Sequence, residues 1–253
     1  MGQEERAGGV GARRAQAGDL SEVDARDLGS FVARMHAHAE RWTPPEGSEL
    51  PRWDWHWPFG GSAPIWGEGP RVYSDEEMAV FQEAARRVGG RLEEMSEGRE
   101  VFGPIHRDLG LGNVVFSRFG VSVLDFDLAG LGHYLLDLSA LRMDLGRMPE
   151  GRGGPLWDAI FEGYGRERPL PWPRACLERH LDAFQVMRRV SAVNRRLELL
   201  DSEAAGQGPR GPGFLRTSLT WLSRRVPHLA ALPPLAPLAP GELPLALGQW
   251  MAL

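Results

Sequence analysis

The chain has 253 residues, of which 42% are apolar, so it can bury a core as one large domain or two small ones. Its net charge of -5 offers no basic surface of the kind that nucleic-acid binding needs, so nucleic acid is not an expected partner. The single cysteine, Cys176, excludes an internal disulfide, and no apolar stretch typical of a signal peptide lies near the N-terminus, so a cytoplasmic protein is expected.

The two ends of the chain are predicted to lie outside the folded domain. Residues 1–23 are rich in Gly, Ala and Arg and show no apolar period, so they are expected to be flexible. Residues 227–253 form a leucine-rich tail that several prolines interrupt, which excludes an uninterrupted membrane-spanning helix. The domain itself is expected to cover residues 24–226, with no membrane contact.

A helix is predicted from residue 24 to about residue 41. Ser21 or Asp24 can cap it, and its apolar residues recur at helical spacing: Leu28, Phe31, Val32, Met35 and Ala39. His36 and His38 lie two residues apart on this helix and therefore point in different directions. We interpret both as ordinary helix residues, because metal-ligand pairs on a helix favour spacings of three or four.

A long connection rich in Pro and Gly follows at residues 42–72 and contains the run Trp53-Asp54-Trp55-His56-Trp57-Pro58-Phe59. These aromatic residues either line a ligand site or anchor the connection onto the core. We favour the anchor, because large aromatic side chains mostly serve as buried contacts.

Four further helices are predicted from capping and periodicity. Ser74 and Glu77 form a capping box, and the helix that follows carries the most regular apolar stripe of the chain: Met78, Phe81, Ala85, Val88, Leu92 and Met95. Later helices are expected at about 155–164, 174–201 and 213–226, between breaks rich in Pro and Gly. The chain is therefore predicted to be mostly helical.

The middle of the chain carries a catalytic motif. Residues 106–113 read His-Arg-Asp-Leu-Gly-Leu-Gly-Asn, and this H-R-D-L-x-x-x-N spacing is typical of a kinase catalytic loop. In phosphoryl transfer a carboxylate orients the attacking hydroxyl and accepts its proton, and Asp108 is the candidate for that role.

A β-hairpin is predicted directly after this loop. Runs of β-prone residues end at Ser117 and resume at Val121, and the three residues between them suit a hairpin loop with Gly in the left-handed position. If Ser117 faces Val121, then Asn113 faces Asp125, close enough for both to bind one Mg²⁺. The competing interpretation is a capped turn and a structural hairpin with incidental carboxylates, since Asp and Asn are common in turns.

These motifs resemble the aminoglycoside phosphotransferase and choline kinase-like family, a branch of the protein-kinase-like fold. Besides residues 106–113, the resemblance rests on the segments 124–127 and 132–138. It extends to residues 28–42 and 161–164, so it covers roughly residues 24–226. It implies an α+β fold: a mostly helical C-terminal lobe with a small central hairpin. It further implies ATP as phosphate donor and Mg²⁺ or Mn²⁺ as cofactor.

The resemblance also assigns roles to individual residues. It implies that Asp108 is the catalytic base, that Asn113 and Asp125 are metal ligands, and that His106 and Asp137 support the catalytic loop. For Asp137 a second interpretation stays open, in which the acid interacts with the dipole at a helix N-terminus.

The sequence departs from the family in two respects. Arg107 stands where the family usually has Gly, and Arg at this position is typical of protein kinases. The short stretch between Asp125 and Leu136 has no room for a protein kinase's activation segment, which argues against a protein kinase. All 29 basic residues are Arg, so the phosphate-binding Lys of the family's β-rich N-terminal lobe is absent. We expect that lobe to be missing, because residues 1–23 are too few to form it.

Two functions from different classes are compatible with this sequence. The first is an ATP-dependent phosphotransferase that acts on a small-molecule hydroxyl. It is expected to be slow or inactive, because the lobe that would cover the phosphates is expected to be missing. The second is a noncatalytic, pseudokinase-like binding module. The lobe face that the missing domain would cover is expected to be apolar and to self-associate.

Overall fold

A computed structural model of the chain describes residues 13–15, 19–170, 173–200 and 213–230. After a first short strand, four helices, four short strands and four further helices follow one another along this part of the chain. The elements are, in chain order, β1 (Arg13–Arg14), α1 (Glu22–Arg41), α2 (His56–Phe59), α3 (Pro64–Gly67), a 3₁₀ turn (Gly69–Arg71), α4 (Asp75–Glu93), β2 (Phe102–Ile105), a 3₁₀ turn (Leu111–Asn113), β3 (Val114–Ser117), β4 (Gly120–Val123), β5 (Gly130–His133), α5 (Tyr134–Leu145), α6 (Gly153–Glu167), α7 (Arg174–Leu197), α8 (Phe214–Arg225) and a final 3₁₀ turn (Val226–Ala230).

The predicted helices are confirmed, with small shifts at their ends. Both capping boxes are present: Ser21 pairs with Asp24 at the start of α1, and Ser74 pairs with Glu77 at the start of α4. A capping box satisfies two backbone donors that the first turn of a helix would otherwise leave unpaired. These short polar motifs therefore fix the helix starts locally, which is why the sequence indicates them.

Two small antiparallel sheets lie in the middle of the domain. One has the strand order β1-β3-β4, and the other pairs β2 with β5. The N-terminal segment, expected to lack regular structure, contributes β1, in which Arg13 pairs with Phe116. The mixed helical and antiparallel architecture agrees with the predicted α+β class, and the absence of a β-rich lobe stays a prediction.

The predicted register of the hairpin is wrong by one residue. Ser117 pairs with Gly120, so the loop contains two residues instead of three, and the Leu124 N–H donates to the Asn113 carbonyl at 2.9 Å. Gly120 has a φ of 108°, which a residue with a side chain rarely adopts. The sequence allows either loop length, because a Gly that follows two exposed residues suits both. Asn113 therefore lies opposite Leu124, and Asp125 is the next residue along.

Helices α1 and α6 cross in backbone contact at two glycines. A Cβ atom on Gly29 would lie 2.0 Å from the Ile160 carbonyl oxygen, and one on Gly163 would lie 1.9 Å from that of Arg26. Any side chain at these positions would force the helices apart. The two glycines thus set the close packing that brings α1 under the centre of the domain.

Helix α7 is the central helix of the core. It packs against α4, α5 and α8 as well as the short helices α2 and α3. The predicted stripe on α4 faces this core, with Met78, Phe81, Ala85 and Val88 buried. Within the described part of the chain, no helix is long and apolar enough to cross a membrane.

The aromatic connection is anchored, as we favoured. The backbone N–H of Trp53 donates to the Leu131 carbonyl at 2.8 Å, which places this part of the connection against β5. The Trp55 indole N–H donates to the Ala85 carbonyl on α4 at 2.8 Å, and Phe59 is buried. The connection is more regular than predicted, because α2 and α3 both form within it.

Candidate active site

Asp108 lies in the loop between β2 and β3, with its carboxylate partly exposed. The side-chain amide of Asn113 donates to the Asp108 carbonyl at 2.9 Å, and the Asp108 N–H donates to Nδ1 of His106 at 3.3 Å. Nε2 of His106 then bonds the Leu124 carbonyl at 2.9 Å. The Nε2–H tautomer satisfies both contacts, so buried His106 ties the loop to the end of β4, one residue before Asp125.

Asp137 lies directly beneath this loop, in the first turn of α5. Its side chain is 0% exposed, and its two oxygens accept the backbone N–H groups of His106 at 2.9 Å and Arg107 at 2.7 Å. Backbone donors that converge on a buried carboxylate stabilise its charge and fix the donors in place. Asp137 therefore joins two roles that the sequence left as alternatives: it is an acid at a helix N-terminus and it contacts the loop.

His36 extends this buried network, and sequence reasoning missed it. Its Nε2 lies 3.2 Å from Oδ2 of Asp137, and its Nδ1 lies 2.9 Å from the Tyr164 hydroxyl. Burial lowers the pKa of His36, opposed by the nearby Asp137. The signal was present in the sequence, since His36 follows buried Val32 by one helical turn and lies on the same apolar face.

Asn113 and Asp125, the predicted metal ligands, occupy neighbouring positions that are offset by one residue. Asn113 is partly buried and Asp125 is exposed. In the described part of the chain, only Arg107 and Asp125 combine a side chain with positive φ, at 69° and 67°. Such conformations cost about 1–3 kcal/mol each and cluster at functional sites. Both lie in segments to which the sequence assigned catalytic roles.

Arg107 is held by the aromatic connection. Its guanidinium carbon lies 4.7 Å from the ring centroid of Trp53 and 4.0 Å from that of Trp57. These cation–π contacts offset part of the cost of the left-handed backbone. The positive φ also explains why a glycine would suit this position, at which Arg107 departs from the family pattern.

Arg188, on α7, is a second residue that sequence reasoning missed. Its Nη2 lies 3.1 Å from Oδ1 of Asp108, and its Nη1 donates to the Arg107 carbonyl. Its side chain is 16% exposed, against 44% for Asp108. Nothing local in the sequence indicates this pair, because 80 residues separate its members.

The fold is protein-kinase-like, with the loop that carries Asp108 held between two small sheets and a helical core. The chain belongs to the phosphotransferase enzyme family, whose sequence model matches residues 3–176. This match includes the catalytic loop and most of the predicted domain. A search of curated proteins found no significant match.

Solved structures of small-molecule kinases share the fold. The microcompartment-associated aminopropanol kinase is 26% identical, with a TM-score of 0.66 over 83% of this chain and 64% of that one. An amicoumacin kinase in complex with AMP-PNP and Ca²⁺ is 17% identical, with a TM-score of 0.65 over 87% of this chain and 63% of that one. A choline/ethanolamine kinase family protein from Mesorhizobium loti is 16% identical, with a TM-score of 0.57 over 88% of this chain and 67% of that one. The chain thus spans under two thirds of the length of the first two.

Proposed function

We propose that this chain is an ATP-dependent small-molecule phosphotransferase that moves the γ-phosphate of ATP to a hydroxyl of its acceptor. The observation that carries the proposal is the partly exposed Asp108 carboxylate at the centre of a braced loop. Asn113 holds the Asp108 carbonyl, and buried Asp137 holds the two preceding backbone amides. Membership of the phosphotransferase family supports the same class of reaction.

Asp108 is assigned the role of general base. The acceptor hydroxyl would donate a hydrogen bond to the Asp108 carboxylate and pass its proton there as its oxygen attacks the γ-phosphorus. The new oxygen–phosphorus bond forms while the bond from that phosphorus to the bridging oxygen breaks, and ADP leaves with the electron pair. The brace from Asp137 keeps the carboxylate in position, and positioning is a large part of catalysis in this reaction.

Asn113 and Asp125 would hold Mg²⁺ or Mn²⁺. The amide nitrogen of Asn113 is already bonded to the Asp108 carbonyl, which leaves its side-chain oxygen available to an ion, and Asp125, one residue beyond the position opposite Asn113, would supply the carboxylate. Within the described residues, no three His, Cys, Asp or Glu side chains form a metal cluster. This donor set fits Mg²⁺, which is usually held by one or two protein oxygens and completed by phosphates and water. When bound, the ion would neutralise charge on the phosphates.

The test is product formation by the purified chain with Mg·ATP and a panel of acceptors. The panel contains an amino alcohol, chosen because the 26% identical neighbour is an aminopropanol kinase, together with choline, aminoglycosides and sugars. Turnover is expected to be slow, since the sequence contains no lysine to pair with the phosphates. Asp108→Asn should lower it at least 100-fold, as loss of a general base typically does. Asp158→Asn, at a side chain that is 60% exposed, is the matched control.

Metal binding provides a second readout that does not need turnover. Mn²⁺ should bind to the wild type with the same affinity as to Asp158→Asn, and Asp125→Ala should abolish binding in calorimetry. Product formation that persists in Asp108→Asn, or Mn²⁺ binding that persists in Asp125→Ala, would contradict the assigned roles. Asp125-dependent metal binding without any Asp108-dependent product would favour the noncatalytic binding module instead.

A further inference from the structure

Arg188 is a fixed cation at the proposed base. Its two terminal nitrogens bond consecutive residues of the catalytic loop, one reaching the Arg107 carbonyl and the other the Asp108 carboxylate at 3.1 Å. Arg188 extends from the central helix, and its side chain is largely buried, so its position is set by the fold. Each terminal nitrogen carries a second N–H that can donate to another oxygen.

The position of Asp108 determines how close this charge comes to the reacting phosphate. An acceptor hydroxyl bonded to Asp108 lies about 3 Å from its carboxylate, and the attacked phosphorus lies about 3–3.5 Å from that hydroxyl oxygen. Since Arg188 is 3.1 Å from the same carboxylate, these three distances place the phosphorus at most about 10 Å from the Arg188 nitrogen. A bent path shortens this distance, which allows the guanidinium to approach the phosphate oxygens.

The sequence contains no lysine, so any cation that this chain sets against a phosphate is an arginine or a histidine. The catalytic loop itself has glycine at positions 110 and 112, and the guanidinium of its Arg107 is stacked on Trp53 and Trp57. Arg188 reaches the loop from another element and brings its charge to Asp108.

We infer that Arg188 is the phosphate-binding cation of this active site. This inference rests on the proposed phosphotransferase function. Without ligands, the Arg188 guanidinium pairs with the Asp108 carboxylate. When a phosphate and an acceptor hydroxyl enter, the guanidinium exchanges its contact with this carboxylate for one with a phosphate oxygen. Asp108 is then available to the hydroxyl. In other phosphotransferases an arginine stabilises the charge of the transferring phosphoryl group.

The competing explanation is that Arg188 only ties α7 to the catalytic loop. The two explanations differ in the sign of one effect. If Arg188 binds phosphate in competition with Asp108, removal of the Asp108 charge should strengthen anion binding. If Arg188 is only a structural tie, loss of Asp108 should leave anion binding unchanged or weaken it through disorder of the loop.

The experiment measures inorganic phosphate binding without metal, by calorimetry or ³¹P NMR. Asp108→Asn should tighten phosphate binding at least several-fold relative to the wild type. In the Asp108→Asn background, Arg188→Gln should weaken binding at least 10-fold, and Arg188→Lys should weaken it less, because Lys keeps the charge but not the two-pronged guanidinium. Arg195→Gln, at an exposed arginine on the same helix, is the matched control and should change nothing.

Kinetics provide the second measurement. With any acceptor that gives product, Arg188→Gln should lower kcat about 10- to 100-fold and change the acceptor KM much less, since the contact forms with the transferring phosphate. Circular dichroism and the melting midpoints of Arg188→Gln and Arg188→Lys show whether a loss in either variant reflects unfolding.

The outcomes separate this inference from the proposed function. Phosphate binding that is absent in every variant, or that is equal with and without Arg188, would overturn the assignment of Arg188 even if Asp108-dependent turnover is found. Arg188-dependent phosphate binding that tightens in Asp108→Asn would support the anion site even if no acceptor gives product, and the failure would then lie with the proposed reaction.

Discussion

Substitution of Asp137 by Asn provides the sharpest test of how the catalytic loop is held. The carboxylate is fully buried and accepts two backbone N–H groups, at 2.9 and 2.7 Å, besides its contact with His36 at 3.2 Å. Asn keeps the shape, but only one of its two terminal atoms can accept a hydrogen bond. The other becomes an N–H group, and in either orientation it faces a donor.

The magnitude follows from these contacts. One hydrogen bond to a charged group is lost, which costs about 1.5–3 kcal/mol, and two buried donors are left facing each other. The free energy of unfolding is therefore expected to fall by about 3 kcal/mol in total. For a chain of this size, 1 kcal/mol shifts the melting midpoint by about 2–4 °C, which gives a fall of about 6–12 °C for Asp137→Asn.

The assay is thermal unfolding followed by circular dichroism, together with urea unfolding for the free energy. Asp158→Asn is the matched control, because it makes the same chemical change at a side chain that is 60% exposed, where an ion pair is worth at most about 1 kcal/mol. The argument that the buried carboxylate holds the loop would be refuted if the melting midpoint of Asp137→Asn lay within 2 °C of that control. By the same conversion, such a difference is a loss of at most about 1 kcal/mol in the free energy of unfolding.

Three further predictions concern pH, backbone strain and self-association. Burial lowers the pKa of His133 from 6.5 to about 4. Between pH 6.5 and about 4 the unfolded chain therefore binds this proton more readily than the folded chain, so the free energy of unfolding should fall as the pH drops through this range. His133→Leu should make this fall shallower by up to about 1.4 kcal/mol per pH unit in urea titrations, and an unchanged slope would contradict the assignment. Arg107→Ala should be less stable than Arg107→Gly by about 1 kcal/mol, because φ is 69° there; equal unfolding free energies would show that the left-handed backbone is not retained. The neighbouring apolar side chains of Leu124, Phe126 and Leu128 are 40%, 52% and 37% exposed, so the chain should self-associate with rising concentration. Phe126→Ser should weaken this self-association in sedimentation velocity, whereas a monomer at every concentration would oppose it.

Local patterns determined much of the fold. Helices α1 and α4 follow from capping boxes and apolar periodicity, both of which act within a few residues, and the hairpin follows from two β-prone runs with turn residues between them. The spacing of Asp108 and Asn113 within one loop also belongs to this class, because a short loop keeps its residues together however the rest of the chain packs. These features could be predicted from the sequence by itself.

The tertiary structure decided which distant side chains meet. The hairpin register depended on how many residues the loop uses, a choice that local propensity leaves almost balanced, so Asn113 came to lie opposite Leu124. His36 of α1 met Tyr164 of α6 because the two glycine contacts set how those helices pack, and its other ring nitrogen met Asp137 of α5. Arg188 reached Asp108 because α7 runs through the core beside the catalytic loop. Contacts of this kind depend on packing over many elements at once; a local pattern can indicate that a side chain such as His36 is buried, but it contains no signal for the distant partner that the side chain meets.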